Sequence, residues 1–316
     1  MLVAKTSLSP RLSLSASPAS CSVCLGSLDM KSFASNDLQK QTNQTDTLPL
    51  QFPVVFIRGL NSWGDDRIHI GPLRLQHMWE PFRQAMQDRK VRFIPIQGMG
   101  KGRRQQHVDQ AFQILKTLGV QSFHILAHSA GGIVARQLIA EHHSQLDVRS
   151  LLTVATPHHG AHIANKAISF HQQNPMMYTL CKASGYDTCE RANLYAEYTP
   201  ESMEAFNDAF PRPPHLPVGS ISCAVPFWDL PLGPKLLSWA VRKTYGSYDS
   251  DGIIEESSQR WQNHLDRFEL DHAAQLGFSF HLRPQRRRQS QENFHNMVNC
   301  AVNYFMDVES GKYAEG

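Results

Sequence analysis

The chain has no run of eighteen apolar residues in its 316 positions, so no membrane-spanning helix is expected. It also lacks an excess of either charge. Thirty-one Lys and Arg face twenty-eight Asp and Glu, a net +3, and a nucleic-acid partner is not expected from so even a balance. No acidic residue occurs before Asp29, and Lys5 and Arg11 are the only charges ahead of it. That opening stretch has no solid apolar core of 7 to 15 residues and is a poor secretory signal; it equally resembles an acid-poor transit segment or the product of a mis-assigned start. Cysteine is scarce, with six in all: Cys21, Cys24, Cys181, Cys189, Cys223 and Cys300. Cys21-x-x-Cys24 has neither a second pair nor a histidine at zinc spacing, so no metal is expected there. Cys181 and Cys189 suit a local disulfide in an exported protein or two free thiols, and the compartment stays open.

What is present divides in two. Residues 1–48, rich in Ser, Thr, Gln and Asn, read as a disordered tail or targeting segment. Residues 49–316 are long enough, within a chain that is 41% hydrophobic, for one large domain. Strand-like and helix-like segments alternate there. Pro53–Ile57, Val91–Pro95, Phe123–Leu126 and Val148–Val154 read as strands, separated by helical spacing around Met78–Gln87, over Arg104–Leu118 and over Ile133–Ala140. The pattern predicts an α/β fold with a mostly parallel sheet and helices on both faces. Residues 161–215 interrupt the alternation and read as a helical lid insertion, with packing onto the core as the competing reading. Leu216–Ser222 reads as a returning strand, Leu236–Val241 as a helix and Phe294–Met306 as a last helix. Arg283-Pro-Gln-Arg-Arg-Arg288 reads as a basic loop, either solvated or touching an anionic partner such as a lipid headgroup.

The sharpest local signal is Ala127-His128-Ser129-Ala130-Gly131-Gly132 between an apolar strand and a helix. A serine at a sharp strand-to-helix turn with small residues two before and two after is a nucleophile elbow, because larger side chains there would strike the adjoining strand and helix. Ala127 stands where glycine is usual, and alanine still fits. The competing reading is a helix N-cap serine before flexible glycines.

A serine that cleaves an ester needs a base, a group to orient the base, and donors for the oxyanion. Asp251, in Ser250-Asp251-Gly252-Ile253-Ile254, is the candidate acid, with Asp249 its neighbouring competitor. His272, 21 positions further on, is the candidate base, and His264 is its rival. The N–H groups of Ala130 and Leu60 are placed to serve as the oxyanion hole, and Gly59 allows close backbone approach to substrate. Val225, Phe227, Trp228 and Leu230 are candidates for an apolar substrate wall, Phe227 and Trp228 foremost.

These motifs, in this order, resemble the α/β-hydrolases of the bacterial triacylglycerol lipase family, Pseudomonas and Burkholderia type, over about residues 50 to 280. Val55–Leu60 is similar to their oxyanion strand and turn, with Arg58 where they carry histidine. Ala127–Arg136 is similar to their elbow and helix, Thr153–Ala161 to their T-P-H-x-G segment, and Tyr198–Asn207 with Phe210-Pro211 to their lid-proximal helix. The resemblance implies Ser129 as nucleophile, Asp251 as acid and His272 as base. It also implies a calcium site, but the aspartate expected two residues after the histidine is Ala274; Asp266 stands two after His264 instead. No cofactor is therefore expected, and calcium would go with His264 as base. Ser257 replaces the second cysteine of the family's disulfide.

The function expected is hydrolysis of acyl esters through an acyl-enzyme, on a lipid or small ester, with transient contact to a lipid interface. Acyl transfer or polyester cleavage on the same framework is the alternative among enzymes. A catalytically inactive binding protein is the alternative outside them.

Overall fold

A computed structural model describes residues 48–59, 67–70, 73–97, 102–173, 193–246 and 248–313, all within the compact unit Thr45–Gly316. Its centre is a six-stranded parallel sheet, in spatial order β4, β1, β5, β6, β7, β8. The strands are β1 Val54–Ile57, β4 Phe93–Pro95, β5 Ser122–His128, β6 Asp147–Val154, β7 Val218–Cys223 and β8 Asn263–Phe268. A separate antiparallel pair, β2 Arg67–Ile70 and β3 Leu73–His77, follows β1.

The inner strands are continuous apolar runs because both faces are covered. Along β1, Val54 and Phe56 enter one core while Val55 and Ile57 enter the other. The first core is closed by α1, Glu80–Gln87, and by the long last helix α8, Pro284–Glu309, through Phe82, Met86, Val298 and Phe305. The second is closed by α2, Arg104–Leu118, and α3, Gly131–His142, through Val108, Leu115, Val134 and Leu138. Gly119, in the left-handed region at φ 63°, ends α2 and turns the chain into β5.

The remaining helices are α4 His162–Gln173, α5 Pro200–Ala209, α6 Leu232–Tyr245 and the short α7 Glu256–Gln259. Within the stretch read as a lid, Tyr198, Met203 and Phe206 are buried against Ala130 and Ile133 of the elbow helix. The apolar cluster Met176–Leu180, the cysteines Cys181 and Cys189 and the tail through residue 47 lie outside the described residues.

One sequence expectation is corrected. Residues 284–288 are not a loop but the opening of α8. Proline is well suited to the first helical position, where its missing N–H has no partner to lose, and Pro284 occupies it. The β2–β3 pair and β8 carried no clear signal. β8 is an edge strand with exposed Asn263, Asp266 and Arg267, so it lacks the apolar run of its inner neighbours.

Candidate active site

β5 delivers Ser129 at the carboxyl edge of the sheet, and the chain reverses into α3 within two residues. Ser129 sits at φ +56°, the left-handed region that a non-glycine residue occupies only under compensation from its surroundings. Two backbone hydrogen bonds provide it: Ser129 N–H donates to Val154 O at 2.9 Å, and Gly132 N–H donates to Ser129 O at 3.0 Å. Thr156 Oγ1 donates to the same carbonyl at 2.9 Å, which explains the threonine ahead of Pro157-His158.

The small residues of the hexamer are dictated by contact. A Cβ on Gly131 would stand 2.4 Å from Ile57 O, and one on Gly132 would stand 2.1 Å from Thr156 Oγ1. Ala127 is fully buried in the sheet, where one methyl is accommodated. Gly59 faces the serine itself: a Cβ there would be 2.6 Å from Ser129 Cβ and 2.9 Å from its Oγ.

Ser129, His272 and Asp251 are brought into a single relay. His272 Nε2 lies 3.1 Å from Ser129 Oγ, and His272 Nδ1 lies 2.8 Å from Asp251 Oδ2. The backbone adds a further tie, His272 N–H donating to Asp251 O at 3.0 Å. Asp251 is wholly buried, and its carboxylate is fully engaged. Oδ1 accepts from the N–H groups of Ile253 and Ile254 at 2.9 and 2.8 Å, and Oδ2 accepts from Gln275 Nε2 at 2.9 Å as well as from the imidazole.

Electrostatics follow from this packing. Burial opposes the Asp251 charge, but the His272 charge and hydrogen bond, the Ile254 N–H and the Gln275 amide outweigh it and hold the pKa below the usual carboxylate value. Burial likewise opposes an imidazolium at His272. The Asp251 charge and hydrogen bond overcome it, and the His272 pKa is raised above the ordinary imidazole value.

The rival residues are elsewhere. His264 Nε2 pairs with Ser222 Oγ at 2.9 Å, and exposed Asp249 forms an ion pair with Arg267 at 3.3 Å. Ala130 is buried beside the serine as the first residue of the α3 cap, while Leu60 lies outside the described residues. Phe227 is half-buried beneath the Arg242 guanidinium, 4.9 Å from its ring, whereas Trp228 is 81% exposed.

Two residues of the site carried no sequence signal. His128 is buried next to the serine, its ring 4.9 Å from that of His272, and its Nε2 lies 2.8 Å from Gln275 Oε1. Burial, reinforced by the His272 charge, lowers its pKa to about 3, so it stays neutral and can donate to Gln275. Gln275 then turns its amide toward Asp251. No spacing rule points to either residue, because the contact joins the end of β5 to a turn 147 positions away.

His158, of the Thr156-Pro157-His158 segment, is buried and serves packing. Its Nε2 lies 3.0 Å from Thr153 Oγ1 and its ring stacks on Trp261. Arg136 fills the same pocket, 3.9 Å over Trp261, and donates to Asn207 Oδ1 and Phe210 O, tying α3 to α5. Among the described residues, no three His, Cys, Asp or Glu side chains are grouped to hold a metal ion.

A parallel sheet with helices on both faces, carrying a left-handed serine between the end of an inner strand and a helix, decides the architecture. It is the α/β-hydrolase fold. Solved α/β-hydrolase structures bear this out: a Staphylococcus hyicus lipase superposes with a TM-score of 0.62 at 13% identity, covering 85% of this chain and 99% of that one. The metagenomic carboxyl esterase MGS0156 superposes at 0.58 with 12% identity, covering 85% of this chain and 80% of its own. The mature Bacillus licheniformis lipase BlEst2 does so at 0.53 with 17% identity, over 81% and 94%. At the level of sequence, residues 53–206 match the palmitoyl protein thioesterase family. No curated protein has a significantly similar sequence.

Proposed function

We propose that this α/β-hydrolase is a serine ester hydrolase of the lipase or carboxylesterase type. The observation that carries the proposal is the continuous hydrogen-bonded path from Ser129 Oγ through His272 to buried Asp251. Ser129 Oγ attacks the acyl carbonyl carbon while its proton passes to His272 Nε2, and the carbonyl π pair moves onto oxygen. Asp251 keeps Nδ1 protonated and stabilises the imidazolium that forms. The N–H groups of Ala130 and Leu60 stabilise the oxyanion. Collapse breaks the carbon–oxygen bond, and the leaving alcohol takes the proton from Nε2. Water then attacks the acyl-enzyme by the same route, releasing the acid and restoring the serine. The chain's own groups suffice for every step, so no cofactor enters. The motif order supports the lid reading of residues 161–215 and the likeness to the Pseudomonas and Burkholderia lipases, while Tyr198, Met203 and Phe206 of that stretch pack on the elbow helix.

The match to the palmitoyl protein thioesterase family favours one second reading, in which the scissile bond is a long-chain thioester. The nucleophile and relay are the same; only the leaving group differs. Comparing kcat/KM for p-nitrophenyl esters and acyl thioesters, each from C4 to C16, separates the two. The proposal expects turnover of oxygen esters that Ser129→Ala abolishes. Turnover confined to thioesters would select the second reading, and ester turnover undiminished in Ser129→Ala would overturn both.

A further inference from the structure

Helix α6 exposes an apolar stripe. Leu232, Leu236 and Trp239 repeat at helical spacing and are 74%, 60% and 57% exposed. Lys243 continues the stripe by one turn, its Nζ 5.6 Å from the Trp239 ring. Just before α6, Trp228 is more exposed still, and Lys235 Nζ donates to its carbonyl at 2.7 Å. A second exposed apolar pair, Phe280 and Leu282, precedes α8, with Leu282 at 94%. The two segments are neighbours. Arg286 in the first turn of α8 pairs with Asp229, beside Trp228, at 2.6 Å, and with Glu269 at 3.2 Å.

Large side chains scattered singly on a surface mean little, but a clustered set of this size marks a contact face. Charge identifies the partner. Residues 230–248 contain Lys235, Arg242 and Lys243 and no carboxylate; residues 272–291 contain Arg283, Arg286, Arg287 and Arg288 and no carboxylate. Seven cations thus lie on the two segments that carry these apolar side chains, in a chain whose net charge is only +3; Arg242 among them packs over Phe227, and Arg286 is paired with carboxylates. The carboxylates placed against these segments are paired, Asp229 and Glu269 with Arg286 and Asp271 with His281. A second copy of the chain seated on this face would set cation against cation. An interface of negative headgroups over acyl chains fits instead: tryptophan and leucine enter the boundary, and lysine and arginine remain at headgroup level.

The face also adjoins the relay. A Cβ on Gly252, next to Asp251, would stand 2.8 Å from Leu230 and from Pro234, so the start of α6 rests on the acid loop. His281, between Phe280 and Leu282, lies 3.2 Å from Asp271, the residue before His272.

We propose that the face formed by Trp228, Leu232, Leu236, Trp239, Phe280 and Leu282, ringed by these cations, docks the protein on an anionic lipid surface. Docking requires no turnover, so the test uses the Ser129→Ala protein and fails or succeeds independently of the hydrolase reading. Partitioning onto vesicles of neutral phosphatidylcholine and of phosphatidylcholine with 30% phosphatidylglycerol is measured by co-sedimentation and by the blue shift of tryptophan emission. The expected result is binding at least about tenfold stronger to the anionic vesicles, weakened by added salt. Leu236→Asp with Trp239→Asp lowers that binding at least about tenfold, with an unchanged circular dichroism spectrum. Lys235→Glu with Lys243→Glu, which leaves the apolar stripe whole, removes the preference for the anionic vesicles. Failure to bind either vesicle overturns the proposal, as does equal binding to both. Self-association through this face, broken by Leu236→Asp, would overturn it in favour of a second copy of the chain.

Discussion

At the scale of the residue, Asp251 is fully buried and yet held below the usual carboxylate pKa. An isolated carboxylate in that position would neutralise itself. Four donors keep it ionised: two backbone N–H groups, the Gln275 amide and the His272 imidazole. Its charge in turn raises the His272 pKa against the opposing effect of burial. The base works only when neutral, so activity is gained as pH rises through that raised pKa. The acid limb of kcat/KM is therefore expected above the ordinary imidazole value. Asp251→Asn removes the larger opposing charge and leaves only Asp271 against burial, which moves the limb toward lower pH. It also lowers kcat by about 10⁴-fold, the scale of losing the oriented tautomer. A pH–rate profile of the two proteins checks both effects, and an unmoved acid limb would show that Asp251 does not set the base. The candidates Ser129, Asp251 and His272 were legible from motif order and spacing. Gln275 and His128 were not, because their contact is made only when the turn after β8 folds back onto the end of β5.

At the scale of the element, the strand-to-helix turn explains why the hexamer reads as it does. Gly131 and Gly132 leave no room for a methyl, the first against the backbone of β1 and the second against Thr156, while Ala127 has that room. Gly132→Ala is accordingly expected to lose at least about 100-fold in kcat as the elbow shifts away from Thr156. Ala127→Gly, restoring the commoner residue, is expected to keep kcat within about twofold and to cost roughly 0.5–1 kcal/mol of stability, because glycine weakens a strand. Urea unfolding and p-nitrophenyl ester turnover measure the two effects side by side; equal losses in both variants would contradict the contact argument. The inner elements were readable for a physical reason: strands buried on both faces are uninterrupted apolar runs, and α2 is amphipathic with glycine at its end. Elements at the margins were not. β8 is polar because it is an edge, and the basic residues after Arg283 hid a helix start that Pro284 signalled.

At the scale of the whole molecule, chemistry and charge are distributed unevenly. The carboxyl edge of the sheet gathers the relay, and the helices flanking it carry the exposed apolar and cationic side chains. Composition concealed this. A net charge of +3 and a modest hydrophobic fraction describe the average of the chain, not the segments around α6 and the start of α8, which are joined where Asp229 pairs with Arg286. Fold class could be read from alternation because it depends on many residues at once. The face depends on which side of a helix is left uncovered, and that is settled only by tertiary packing. The central claim is that Ser129 is made nucleophilic by its place in this fold. Its most direct test is covalent labelling by a fluorophosphonate at neutral pH, with the adduct located by peptide mass spectrometry. A single adduct is expected on the peptide containing Ser129, absent from Ser129→Ala and much slower to form in His272→Ala. Labelling at another residue, or labelling of Ser129→Ala as strong as that of the parent protein, would contradict it.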